Sequence, residues 1–146
     1  MRVLGVDFGE RRIGLALSDP SGTIASPLDT LVYRRGKRPP LRAIEEIVRT
    51  NGVERIVLGL PLDLSGEETD WCGRVREIGE EIGRRLAMPV DYVDERLTSV
   101  QAERALRSIG LRRSRRQEKG RVDAAAAALI LQRWLDRRGD ETNRGD

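Results

Sequence analysis

Hydrophobic and polar positions change from a strand-like to a helical period along this chain. Arg2–Phe8, Ile13–Ser18 and Thr23–Val32 are short apolar or alternating runs separated by turns rich in Gly, Asp, Pro and Ser, the pattern of an antiparallel meander. From Pro39 to Thr50 the apolar residues Leu41, Ile44, Ile47 and Val48 recur at helical spacing, and Thr50–Gly52 supplies a stop. "RIVLGLP", Arg55–Pro61, is a continuous apolar run of the kind covered on both faces, so a central, parallel strand is expected. Ser65 with Glu68 forms a capping-box pattern that predicts a helix through about Ala87, Pro89–Asp94 reads as a strand, and Thr98 with Gln101 opens a further helix. After a basic segment comes a last helix, Val122–Arg138, on which Ala124, Ala127, Ala128 and Leu131 share one face. Small side chains there let the helix approach a sheet closely and carry Asp123 toward Asp7. The segment from Gly139 on is polar and expected to be a disordered tail. Three strands followed by alternating helices and strands predict an α/β domain, residues 1–138, built on a mixed five-stranded sheet flanked by helices. No internal repeat is visible.

A length of 146 residues suits one domain with a real core. No apolar run reaches the roughly 18 residues of a membrane span and no leader pattern precedes the first strand, so a cytoplasmic protein without membrane contact is expected. One cysteine, Cys72, excludes an internal disulfide; beside Trp71 on a helix it is expected to be half-buried, with cross-linking of two chains the alternative. The chain has no histidine, which removes the commonest general base and transition-metal ligand. Any chemistry falls to carboxylates.

The net charge of +3 says little, but its distribution says more. Tyr33–Arg42 contains no acid and Arg112–Arg121 contains only Glu118. Both read as basic loops, either solvated surface or contacts to a phosphate backbone. Aromatic residues are scarce, 3% of the chain, so base stacking is not the expected mode of recognition. "GERRIG", Gly9–Gly14, has the spacing of a phosphate loop, but Leu15 and Ala16 replace its Lys and Ser/Thr, which rejects a nucleotide-binding P-loop.

Sites in open sheets form beyond the carboxyl ends of strands, where Asp7 and Glu95 both fall. Asp123 lies in the first turn of the expected last helix, where simple capping competes with a chemical role. Three carboxylates that converge repel one another unless a cation neutralises them. Oxygen ligands without His or Cys point to Mg²⁺ or Mn²⁺. A pair of such ions, roughly 4 Å apart, activates water and stabilises the leaving oxygen in phosphodiester cleavage. Successive strand residues point to opposite faces, so Asp94 and Glu95 do not both aim inward without a twist at the strand end; Glu95 is the acid expected to do so. Gly9 lets the backbone approach a bound phosphate and Gly14 permits tight strand packing, or both serve only turn geometry.

"VDFGERRIGLALSD", "LGLPLDLSG", "DERLTS" and "KGRVDAAAAALIL" together resemble, in order and spacing, the YqgF/RuvX family of Holliday-junction-resolvase-like proteins, within the RNase H-like superfamily. The resemblance covers Arg2 to about Trp134. It implies an RNase H-like fold and a metal-dependent nuclease that processes the 5′ end of precursor 16S ribosomal RNA or resolves branched DNA. The family's acidic residues carry over to Asp7, Glu95 and Asp123, as catalytic residues and metal ligands. Asp63, where many relatives have Asn, either caps the following loop or adds an outer ligand. Residues placed on the nucleic acid are Gly9, Arg11, Arg96, Thr98, Arg112, Arg113, Arg115, Arg116, Lys119 and Arg121; for Arg96 and Thr98 a local ion pair and a helix cap are the alternatives.

Three functions follow: a nuclease on structured RNA or branched DNA, a nucleic-acid-binding ribosome-assembly factor without turnover, and an actin-like phosphotransferase. The single lobe expected from the length counts against the last. Either a monomer or a homodimer is compatible; paired cuts in branched DNA call for symmetry.

Overall fold

A computed structural model describes residues 1–62, 65–95 and 115–144. The elements are β1 (Arg2–Phe8), β2 (Arg12–Ser18), β3 (Ala25–Val32), α1 (Leu41–Asn51), β4 (Val53–Leu60), α2 (Asp70–Leu86), β5 (Val90–Asp94) and α3 (Arg115–Arg144). Among the described residues the strands form one sheet in the order β3-β2-β1-β4-β5. The β1–β2 and β2–β3 pairs are antiparallel, and β4 runs parallel to both β1 and β5. The expected mixed sheet is present, with β1 at its centre and β4 one place out.

Alternation along the strands sends Leu4, Val6, Phe8, Ile56 and Leu58 into a core with α1 and α2. Val3, Ala16, Val57 and Val93 face the opposite way, against Ala127, Ile130 and Leu131 of α3. The interior strands are thus apolar on both faces because helices cover both. Edge strand β3 is largely exposed and contains Pro27, whose missing N–H is tolerated at an edge. α1 ends where Thr50–Gly52 predicts: Gly52, at φ 63°, adopts the left-handed cap and donates to the Arg49 and Val48 carbonyls.

Four expectations are corrected. α2 starts at Asp70 rather than at the Ser65–Glu68 capping box; Thr69 takes the N-cap position without capping a helix N–H through its side chain, and Glu68 pairs with Arg76. The last helix starts at Arg115, so the basic segment from Arg115 to Arg121 is helix and not loop, and Asp123 lies in the third turn rather than the first. Its mixture of Arg, Gln, Glu and Lys consists of good helix formers, whose propensity was masked by the charge. The same helix continues through Gly139 to Arg144, across most of the expected tail. Cys72 is fully buried in the α1/α2 core instead of half-buried. Among the described residues no helix is long and apolar enough to cross a membrane.

The close approach of α3 rests on small residues from both sides. A Cβ placed on Gly5 of β1 would come within 2.7 Å of Leu131 Cβ and 3.0 Å of the Ala127 carbonyl oxygen. Ala127 itself is 0% exposed. Ala127→Leu therefore has no space to fill, and a loss of about 1–3 kcal/mol in chemical denaturation is the expected result. Unchanged stability would mean that the helix rides higher on the sheet than described.

Candidate active site

β1, β4 and β5 run in the same direction, so their carboxyl ends open at one edge of the sheet. Asp7 is the penultimate residue of β1, and Glu95 directly follows β5, its N–H donating to the Leu60 carbonyl at 3.1 Å as a continuation of the parallel ladder. Alternation puts Glu95 on the α3 side with Val93, the side to which Asp7 also points. There the two half-buried carboxyl groups are hydrogen-bonded to each other. Asp94 instead accepts from Arg133 through its main-chain oxygen.

Gly59 makes this pairing possible. A Cβ at that position would stand 2.8 Å from Glu95 Oε2 and 2.6 Å from Ile130 Cδ1. A side chain there would crowd the carboxylate and require Glu95 and Ile130 to shift, so the glycine within "LGLP" has a structural reason that the apolar run conceals.

Removal from water, together with the neighbouring Asp7 charge and their hydrogen bond, pushes the Glu95 pKa up to about 10. Asp7 is also raised by desolvation, while the hydrogen bond from Glu95 works in the opposite direction. At neutral pH the pair shares a proton, with Glu95 donating and Asp7 accepting. Because the folded pKa lies above the unfolded one, the folded state binds the extra proton, and its stabilising contribution disappears as pH rises through the folded value. In chelator, melting temperature is expected to fall as pH rises from about 5 toward 9, and Glu95→Gln should remove most of that slope. A flat wild-type profile would contradict proton sharing.

Asp123 is positioned by another contact. Its carboxylate accepts from Arg12 Nε at 2.9 Å, with both side chains partly exposed. Its backbone lies directly over Gly14, the cross-strand partner of Asp7: a Cβ on Gly14 would stand 2.0 Å from the Asp123 carbonyl oxygen. Gly14 thus serves helix-to-sheet contact rather than strand packing. The structure brings Asp7 and Glu95 into contact and Asp123 to the neighbouring strand; among the described residues no group of three acids is assembled as a metal cluster.

Arg12 was not singled out from the sequence. Alternation contains the signal, since Arg12, Gly14 and Ala16 share the β2 face that meets α3. Gly9 closes the β1–β2 turn by donating to the Arg12 carbonyl at 2.8 Å, which is turn geometry, and Arg11 is exposed in the same turn. Arg121 is partly buried on α3, and Arg115, Arg116 and Lys119 lie on its first turns. Asp63, Arg96, Thr98, Arg112 and Arg113 lie outside the described residues, as does the helix expected from Thr98.

A family profile described as "RuvX: Holliday junction resolvase" matches residues 1–137. A protein of Thermosynechococcus vestitus named "Putative pre-16S rRNA nuclease" is 45% identical over 136 residues, 93% of this chain and 88% of the relative. A protein of Anaeromyxobacter dehalogenans with the same name is 46% identical over 138 residues, 94% and 98% of the respective chains. Among solved structures, Thermus thermophilus RuvC in complex with a Holliday junction substrate superposes with a TM-score of 0.56 at 19% identity, covering 94% of this chain and 96% of that one. The likeness to RuvC extends the expected RNase H-like assignment to the observed architecture.

Proposed function

Because the chain belongs to the RuvX family, described as Holliday junction resolvase, we propose that it cleaves phosphodiester bonds in structured nucleic acid, with Asp7, Glu95 and Asp123 holding a divalent cation. The observation that carries this reading is the Asp7–Glu95 contact: two like-charged oxygen ligands held together at a sheet edge by one proton. The donor set fits a hard cation, because Mg²⁺ or Mn²⁺ replaces that proton and neutralises both carboxylates. When bound, one or two such ions supply Lewis-acid polarisation of the phosphodiester and of the attacking water.

The residues of the chain do the rest. Glu95 would hold the cation in its deprotonated form, and Gly59 keeps room for that carboxylate. Asp123 would be the third carboxylate to hold the cation, and the Arg12 guanidinium beside it would be placed to meet a phosphate. Arg11 and Arg121, with the basic segment around α3, hold the flanking backbone.

The substrate favoured is the 5′ region of precursor 16S ribosomal RNA, supported by the name shared by relatives that align over nearly the whole chain. A four-way DNA junction is the second reading, supported by the family's description. Cleavage of precursor ribosomal RNA, single-stranded RNA, duplex DNA and a four-way junction, each with Mg²⁺, Mn²⁺ or chelator, tests both. Metal-dependent cutting of the RNA alone is the expected result. Cutting of the junction alone selects the second reading, and salt-sensitive binding without cutting of any substrate selects an assembly factor.

A further inference from the structure

A second feature lies on the other side of the Asp7 strand end. Tyr33 and Trp71, in a chain with two Tyr and two Trp, converge on the residues that directly follow Asp7. The Trp71 indole N–H donates to the Phe8 carbonyl at 2.9 Å, and the Tyr33 hydroxyl donates to the Gly9 carbonyl at 2.6 Å. Both polar tips are therefore engaged with the main chain, and the rings are left to line a cleft of about 260 Å³. Arg35, Lys37 and Arg74 complete its wall with Glu10. Arg35 is paired with Glu10 at 2.9 Å and Arg74 with Glu77 at 3.2 Å, but all four side chains are well exposed, so an arriving phosphate can replace either acid at little cost.

Rigid aromatic faces beside three cations are what an unpaired nucleotide requires: stacking for the base and positive charge for the phosphate. The cleft is smaller than the roughly 300–1,000 Å³ of a pocket for a complete small ligand, which suits one unit of a longer strand. We propose that the Tyr33–Trp71 cleft is a nucleotide subsite, which takes an unpaired nucleotide of the substrate strand next to the phosphate presented at Asp7. The proposal rests on the nuclease reading for its purpose, while its binding test does not depend on turnover. It also revises the expectation from composition: aromatics are scarce, yet the fold concentrates two of them where a strand would pass.

Trp71 is the reporter once Trp134→Phe removes the other indole, which lies elsewhere, hydrogen-bonded to Asp91. Titration in chelator with short oligo(U), short oligo(dT) and a blunt duplex, read as Trp71 emission, gives saturable quenching by the single strands and none by the duplex. Tyr33→Leu and Lys37→Glu, made in that background, each weaken single-strand binding by roughly tenfold. Tighter binding of oligo(U) than oligo(dT) assigns the subsite to RNA, and the reverse assigns it to DNA. Absence of quenching, equal quenching by the duplex, or quenching that neither substitution changes overturns the subsite. If cleavage needs Asp7 and quenching is absent, the subsite falls and the nuclease stands. If quenching behaves as stated and no substrate is cut, the nuclease reading falls and the subsite stands.

Discussion

Asp7→Asn is expected to abolish cleavage and, in the same protein, to raise the stability of the metal-free fold. The first effect follows from the proposed role of Asp7 as a metal ligand. Lewis-acid stabilisation is worth several kcal/mol of barrier, so the loss should be on the order of a thousandfold or more. The second effect follows from the strain that the pair imposes. Asp7 and Glu95 are desolvated together and repel whenever their shared proton leaves, which it does increasingly as pH rises toward about 10. An amide at position 7 keeps a hydrogen-bonding group there and removes the charge. Stability in chelator at pH 8–9 should increase by about 1–3 kcal/mol. Saturating Mg²⁺ should reverse the order, because the cation binds the wild-type fold and not the variant. Cleavage rates measured beside denaturation curves, with and without metal, check both halves. A variant that is inactive but less stable would make Asp7 a structural residue, and one that still cuts would remove the metal site from the mechanism.

Gly14→Ala should be the most damaging single methyl group in the chain. Its Cβ would stand 2.0 Å from the carbonyl oxygen of Asp123 and 2.3 Å from the carbonyl carbon. Both are main-chain atoms in the middle of α3, so no side chain can rotate aside. The helix has to lift, uncovering Ala124 and Ala127 and withdrawing Asp123 from Arg12. A loss on the order of 3 kcal/mol or more is expected, a fall in melting temperature of roughly ten degrees for a domain of this size. Activity should fall further than stability, because Asp123 travels with the helix. Gly139→Ala on the same helix has open space around it and should be neutral or stabilising by up to about 1 kcal/mol. Similar melting temperatures for the two variants would show that close seating of α3 is not what holds the site together.

The regular elements were legible because their signals are local. Periods of two and of 3.6 mark the strands and α1, and Gly52 marks where α1 must stop. The helix starts were not legible in the same way: Ser65 and Glu68 have the right spacing for a cap, yet Glu68 is taken by Arg76, and charge disguised the helix-forming first turns of α3. For the site, position along the chain was enough to nominate Asp7 and Glu95, since carboxylates at strand ends stand out against apolar runs. Alternation required that only one of the adjacent acids Asp94 and Glu95 face Asp7, and the structure decides for Glu95.

The chain by itself therefore determined the order of the described elements, the lack of any histidine and the acids available, because composition and periodicity are properties of the covalent sequence. Only the tertiary structure decided which groups meet. Asp7 and Glu95 share a proton because β1 and β5 end on the same side of the sheet, Gly59 leaves space for that contact, and Asp123 is paired with Arg12. Tyr33 and Trp71, 38 positions apart in the chain, line one cleft only because β3 and α2 deliver them to the same strand end. Such contacts depend on angstrom-scale distances between elements remote in sequence, and no local pattern of residues encodes those distances.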